Sequence, residues 1–145
     1  MDRLTKAEEN YIKTIYALSS TEEGAHISDI AAKLDVTKAS TSVAVKSLQR
    51  KAFVRRDAER LVYLTDEGRR MAILILNKFS IIREFLTGTL HVDPPTAHIE
   101  ACAMEHFVSQ ETLCALCRFI NWRACHNECT VAQNQPTEAQ HSFAQ

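Results

Sequence analysis

Three side chains within one short stretch carry the most specific chemistry in this sequence: Cys102, Glu105 and His106. Three and four residues apart on a helix, they fall toward one face, with neighbouring β-carbons about 5 to 6 Å apart. Thiolate, carboxylate and imidazole together suit a divalent first-row transition metal such as Fe(II) or Mn(II) better than calcium, which prefers all-oxygen ligation. The same residues also read as ordinary polar helix positions or as a buried hydrogen-bonded network, and spacing alone leaves all three readings open. A second set follows in Cys114, Cys117, Cys125 and Cys129. Tetrahedral sulfur ligation suits an iron-sulfur cluster or zinc, with His126 as an alternative ligand, and the spacing does not select between them. Thiol redox sensing and simple burial of unliganded cysteines are the other readings. With five cysteines in the chain, complete pairing within one molecule is excluded.

A different chemistry lies upstream. Between Lys33 and Arg60 stand eight basic residues against three acidic ones, a local excess of five positive charges in a chain whose net charge is −1. Phosphate contacts depend on the local field, so a near-neutral total does not argue against a double-stranded DNA partner. Lys38, Ser40, Thr41, Ser42 and Lys46 fall toward the amino end of a helix, where hydroxyl and ammonium groups reach base edges or phosphates. Arg55, Arg56 and Arg60 suit phosphate or minor-groove contact from a hairpin. Val43 and Leu48, being aliphatic, are expected in the core.

The elements that must position these groups are legible from caps and periodicity. Thr5 with Glu8 is a capping-box signature that starts a helix at Lys6 and carries it to about Ser19. Ser28 is the expected cap of a short helix with Ile30, Ala31 and Leu34. Asp35 and Val36 break it, and Thr37 caps the next helix, which continues to Arg50 or Lys51. Residues 52–56 and 61–64 then form a hairpin pattern around a polar Asp57 to Arg60 tip. Helix, turn, more basic helix and wing in this order predict a winged helix-turn-helix. Thr65 starts a longer helix whose wide apolar stripe, Met71, Ile75, Phe79, Ile82, Leu86 and Leu90, is expected to build a dimer contact, burial inside one larger domain being the other reading. Pro94 and Pro95 are expected to break that helix. Helices from about Thr96 to Val108 and from Gln110 or Glu111 to Trp122 follow, the latter capped by Ser109.

The fold class expected is therefore mainly α with a small β wing. The expected domains are a winged-helix DNA-binding domain over 1–70, a helical dimerisation and ligand-binding domain over 71–131, and a polar, disordered tail over 132–145. The start lacks an apolar signal core and the longest apolar run, Met71 to Leu76, is far short of a membrane span, so a cytoplasmic location without membrane contact is expected. No phosphate loop, nucleophile elbow or paired-histidine zinc helix is present, which argues against an enzyme and against a small-molecule substrate.

On the residues Glu9 to Tyr16, Ile27 to Ala31, Leu64 to Gly68 and Cys102 to His106, the chain resembles the family of iron- and manganese-dependent repressors, the diphtheria toxin repressor and manganese transport regulator type. The resemblance covers about residues 4 to 122. It implies a homodimer that binds duplex DNA and controls genes of metal homeostasis. It places the family's main ligands on Cys102, Glu105 and His106 and an amino-terminal ligand on Asn10, adjacent to Glu9. At the family's second site His98 matches, but the remaining histidine and carboxylate positions hold Phe79 and Arg83. A guanidinium opposes a second cation, so at most one metal per chain is expected at these positions. The leading expectation is a metal- or cluster-responsive DNA-binding regulator. A metal-independent winged-helix regulator and a cluster-bearing protein-interaction adaptor are the alternatives.

Overall fold

The computed structural model describes residues 4–19 and 23–120. Helix α1 (Lys6–Leu18) begins on the predicted capping box: the Thr5 hydroxyl accepts the Glu8 N–H at 3.2 Å while the Glu8 carboxylate accepts the Thr5 N–H at 2.9 Å. Helix α2 (Ile27–Leu34) starts before the expected Ser28 cap. His26 is its N-cap without a side-chain bond, and Ser28 Oγ instead donates to Asp29 at 3.3 Å. Asp35 ends α2 in the left-handed region at φ 53°, a conformation its short polar side chain tolerates. Thr37 then caps α3 (Lys38–Arg50), its hydroxyl accepting the Ser40 N–H at 3.1 Å.

Strands β1 (Val54–Arg56) and β2 (Val62–Leu64) pair antiparallel, with Val54 opposite Leu64, Arg55 opposite Tyr63 and Arg56 opposite Val62. Ala25 extends the ladder, exchanging two backbone hydrogen bonds with Val62 at 2.8 and 2.9 Å. The helix-turn-helix and its wing are thus as the sequence predicts.

Helix α4 (Asp66–Glu84) starts after Thr65, whose hydroxyl donates to the Ala52 carbonyl at 2.7 Å and accepts the Gly68 N–H at 3.1 Å. It runs into a π-helical turn, Phe85–Thr89, closed by Leu90 N–H to Phe85 O at 3.2 Å. The two prolines do not sit in the break as expected. They open α5 (Pro94–Met104), where a fixed φ and a missing N–H cost nothing, and Asp93 caps the helix by accepting the Thr96 N–H at 3.0 Å. The helix therefore starts two residues before Thr96 and ends short of Val108. Helix α6 (Gln110–Ile120) starts on Ser109, whose hydroxyl accepts the Thr112 N–H at 3.2 Å.

The chain divides into two compact units, Met1–Lys78 and Phe79–Gln145, with the division inside α4. Ile12, Ile15, Ile30, Val45, Leu48, Val54, Val62 and Leu64 form the first core, completed by Ala72 and Ile75 from α4. Ile81, Ile82 and Leu86 join Ala97, Ala101, Leu113 and Cys117 in the second. Of the apolar stripe, Ile75, Ile82 and Leu86 are buried within the chain, Met71 and Phe79 are half-buried and Leu90 is exposed. Among the described residues of the second unit, Ile99 at 70%, Phe107 at 79% and Phe119 at 68% are exposed besides Leu90. Among the described residues no helix is long and apolar enough to cross a membrane.

Candidate functional site

The second helix of the helix-turn-helix, α3, buries Thr41, Val45 and Leu48. This phase sets which side chains face out. Lys38, Ser40 and Lys46 are exposed and Ser42 is half-buried, as a nucleic-acid surface requires. Thr41 is fully buried and its hydroxyl donates to the Thr37 carbonyl at 3.1 Å, so it is withdrawn from DNA contact. Val43, expected in the core, is instead 68% exposed. Ala39, Gln49 and Arg50 are exposed on the same helix and were not singled out by residue type. The resulting surface combines ammonium, hydroxyl, amide and methyl groups, the types that read major-groove edges.

Glu8 ties α1 to the carboxyl end of this helix. Its carboxylate accepts from Ser47 Oγ and Lys51 Nζ, each at 2.9 Å, besides the Thr5 N–H. Burial alone raises a carboxyl's pKa, but here the Thr5 N–H, the Lys51 ammonium and the Ser47 hydroxyl outweigh it and hold Glu8 at about 2.

The wing is closed by a tight turn. Arg60 N–H bonds to Asp57 O at 3.1 Å and Asp57 N–H to Leu61 O at 3.2 Å, with Arg60 in the left-handed region at φ 66°. Both carboxylate oxygens of Asp57 are engaged: Oδ1 accepts the Leu61 N–H at 2.9 Å and Oδ2 the Tyr63 hydroxyl at 3.0 Å. Desolvation works against the charged form, yet these bonds and the positive charge of Arg55 hold the Asp57 carboxyl below its usual range. The hydrogen bond to Asp57 raises the Tyr63 phenol in turn. The Arg55 guanidinium lies 4.3 Å from the Tyr63 ring centroid, and Arg56 Nη2 reaches the Arg60 carbonyl at 3.5 Å. Arg55 and Arg60 are exposed and Arg56 is half-buried.

In the second unit the expected metal donors are partly assembled. Glu105 is the C-cap of α5 and His106 lies in the turn after it, so the three donors do not all sit on one regular helix. The Glu105 carboxylate and His106 imidazole are both buried, with Oε1 and Nε2 3.6 Å apart. Cys102, a thiol, is half-buried one turn earlier on α5. Among the described residues no three His, Cys, Asp or Glu side chains are already gathered around one point. Asn10 and Glu9 are half-buried on α1, in the first unit.

The second-site positions of the family do not fit a metal. Phe79 and His98 meet edge to face with centroids 5.1 Å apart, and the Arg83 guanidinium lies 5.5 Å from the Phe79 ring. An aromatic edge and a cation occupy the space where donors are required. Cys114 and Cys117 are both buried on α6. Cys125 and Cys129, with the expected tail over 132–145, lie outside the described residues.

Comparison with known proteins covers both units. The model of the iron dependent repressor N-terminal DNA binding domain matches residues 3–60, and that of the iron dependent repressor metal binding and dimerisation domain matches residues 65–127. The iron-dependent repressor IdeR of Mycobacterium tuberculosis is 28% identical over 83% of this chain and 53% of its own length. The transcriptional regulator MntR of Salmonella typhimurium is 34% identical over 77% of this chain and 70% of its own length. The solved structure of the manganese regulator SloR superposes with a TM-score of 0.72 at 32% identity, covering 82% of this chain and 55% of that one. The chain spans about half the length of the iron-dependent and diphtheria toxin repressors it matches.

Proposed function

Because the chain belongs to the iron-dependent repressor family, we propose that it is a transcriptional regulator that binds duplex DNA as a homodimer and answers to iron or manganese at one site per chain. The observation that carries this reading is the polar and basic face of α3 beside an arginine-rich wing, built by residues 1–70. Dimerisation and ligand binding are assigned to 71–131. The relatives compared are regulators and not enzymes.

Glu105 and His106 offer a metal two neighbouring buried donors, and the Cys102 thiol supplies a third by a side-chain or turn adjustment. A bound divalent ion supplies positive charge to a buried carboxylate and cross-links its ligands. The chain's own residues do the rest: Glu105 fixes the end of α5, and Arg83 with Phe79 closes the alternative position.

A titration of purified protein with Mn(II) or Fe(II), followed by metal analysis, tests the site. At most one tightly held metal per chain is expected, lost in Cys102→Ser and His106→Ala. Unchanged metal content in both variants rejects the assignment. Duplex binding that ignores the metal supports the metal-independent regulator, and absence of duplex binding in every state supports the adaptor. An iron-sulfur cluster or zinc at Cys114, Cys117, Cys125 and Cys129 requires four thiolates. Iron, zinc and acid-labile sulfide counts after anaerobic reduction decide between cluster, zinc and neither.

A further inference from the structure

The three wing arginines are chemically alike, but their surroundings differ. Arg55 is stacked on Tyr63 and faces the Asp57 charge, while Arg56 is folded against the Arg60 carbonyl. Arg60 is exposed at the tip, and it occupies a left-handed position that glycine or asparagine fills at lower cost. A residue kept in an unfavourable backbone state must be held there by its surroundings, and such positions gather at functional sites. The holding group is Asp57, which fastens the turn through Leu61 and strand β2 through the Tyr63 hydroxyl. Tyr63 is itself seated on Gly24, where an added Cβ would come within 2.6 Å of the ring.

We propose that Asp57 is a positioning residue for DNA binding: with Tyr63 it pre-orders the wing so that Arg60 meets the DNA backbone, while Arg55 serves as an internal clamp. The inference rests on the DNA-binding reading above. An acidic residue beside a polyanion normally weakens binding, so the role has a distinctive sign. Removing the Asp57 charge by electrostatics alone tightens DNA binding. Loss of a pre-ordered wing loosens it, by about threefold to tenfold for one or two newly mobile side chains.

The test uses the full chain with Mn(II) present, a fluorescently labelled mixed-sequence duplex, and anisotropy titrations at several salt concentrations. Arg60→Gly should lower affinity and reduce the salt slope by about 0.9, the value for one lost phosphate contact, with an unchanged or higher Tm. Asp57→Asn and Tyr63→Phe should each lower affinity without lowering it further in the Arg60→Gly background. Arg55→Gln should reduce the salt slope by less than Arg60→Gly does. Tighter binding by Asp57→Asn, additive effects with Arg60→Gly, or a slope loss in Arg55→Gln equal to that of Arg60→Gly overturns the proposal. Should Asp57→Asn fail to fold, Tyr63→Phe carries the same comparison. A wild-type chain that does not bind the duplex overturns the DNA-binding reading itself, whereas wild-type binding that Arg60→Gly leaves untouched overturns only this inference.

Discussion

At the scale of the residue, Glu8 shows how a single carboxylate fixes the presentation of α3. Its folded pKa of about 2 lies below the ordinary value of 4.5, so its contribution is complete above that value and is lost as pH falls toward 2. Glu8→Gln should therefore cost about 2 kcal/mol at neutral pH, the worth of hydrogen bonds to a charged group, and should flatten the acid limb of stability. Urea unfolding at a series of pH values measures both; an acid limb as steep as that of the wild type would remove Glu8 from this role. The contrast between Thr41 and Val43 belongs at the same scale. Residue chemistry assigns the threonine to DNA and the valine to the core, and the structure reverses them. Helical phase carried the signal: Thr41, Val45 and Leu48 recur at intervals of four and three, which leaves Val43 on the opposite face.

At the scale of the element, caps were the most legible feature and backbone crowding the least. Thr5, Thr37, Thr65 and Ser109 all cap where their spacing predicts, because one hydroxyl and one orphan N–H suffice. His26 in place of Ser28, and prolines inside α5, depend on where the chain enters the helix, which residue type alone does not fix. The donor set was legible as chemistry, but its geometry was not, since α5 ends at Met104 and the spacing rule stops with it. Gly68 is a case of crowding. It stands in the first turn of α4, and its structural demand comes from the Phe53 carbonyl, with which an added Cβ would clash. Gly68→Ala should lower stability by about 2 kcal/mol or more by forcing the junction between wing and helix apart. Calorimetry reads this as a fall in Tm, and a variant as stable as the wild type would show that the junction yields freely.

At the scale of the whole molecule, the exposed apolar side chains of the second unit offer the expected dimer a surface beyond the α4 stripe. Ile75, Ile82 and Leu86 of the α4 stripe are buried in the two cores, whereas Leu90, Ile99 and Phe107 are exposed. Light scattering of the metal-loaded protein should give about twice 16.4 kDa, and the double change Ile99→Asp with Phe107→Asp should return the mass to 16.4 kDa without unfolding the chain. A dimer that survives both substitutions places the interface elsewhere. If the dimer forms as expected, its two α3 helices should address half-sites about one helical turn, or a multiple of it, apart.

The π-helical turn at Phe85–Thr89 has a consequence for lineage. Such a turn accommodates one residue more than the α-helical ladder would hold, and here it lies at the carboxyl end of α4, just before the link to α5. Deleting one residue there, Gly88 for example, returns the segment to regular α-helix and leaves the upstream turns of α4 undisturbed. Chains descended from a common ancestor can therefore differ by one residue at this point while keeping the helix intact, and an alignment of them should place its gap between Phe85 and Thr89.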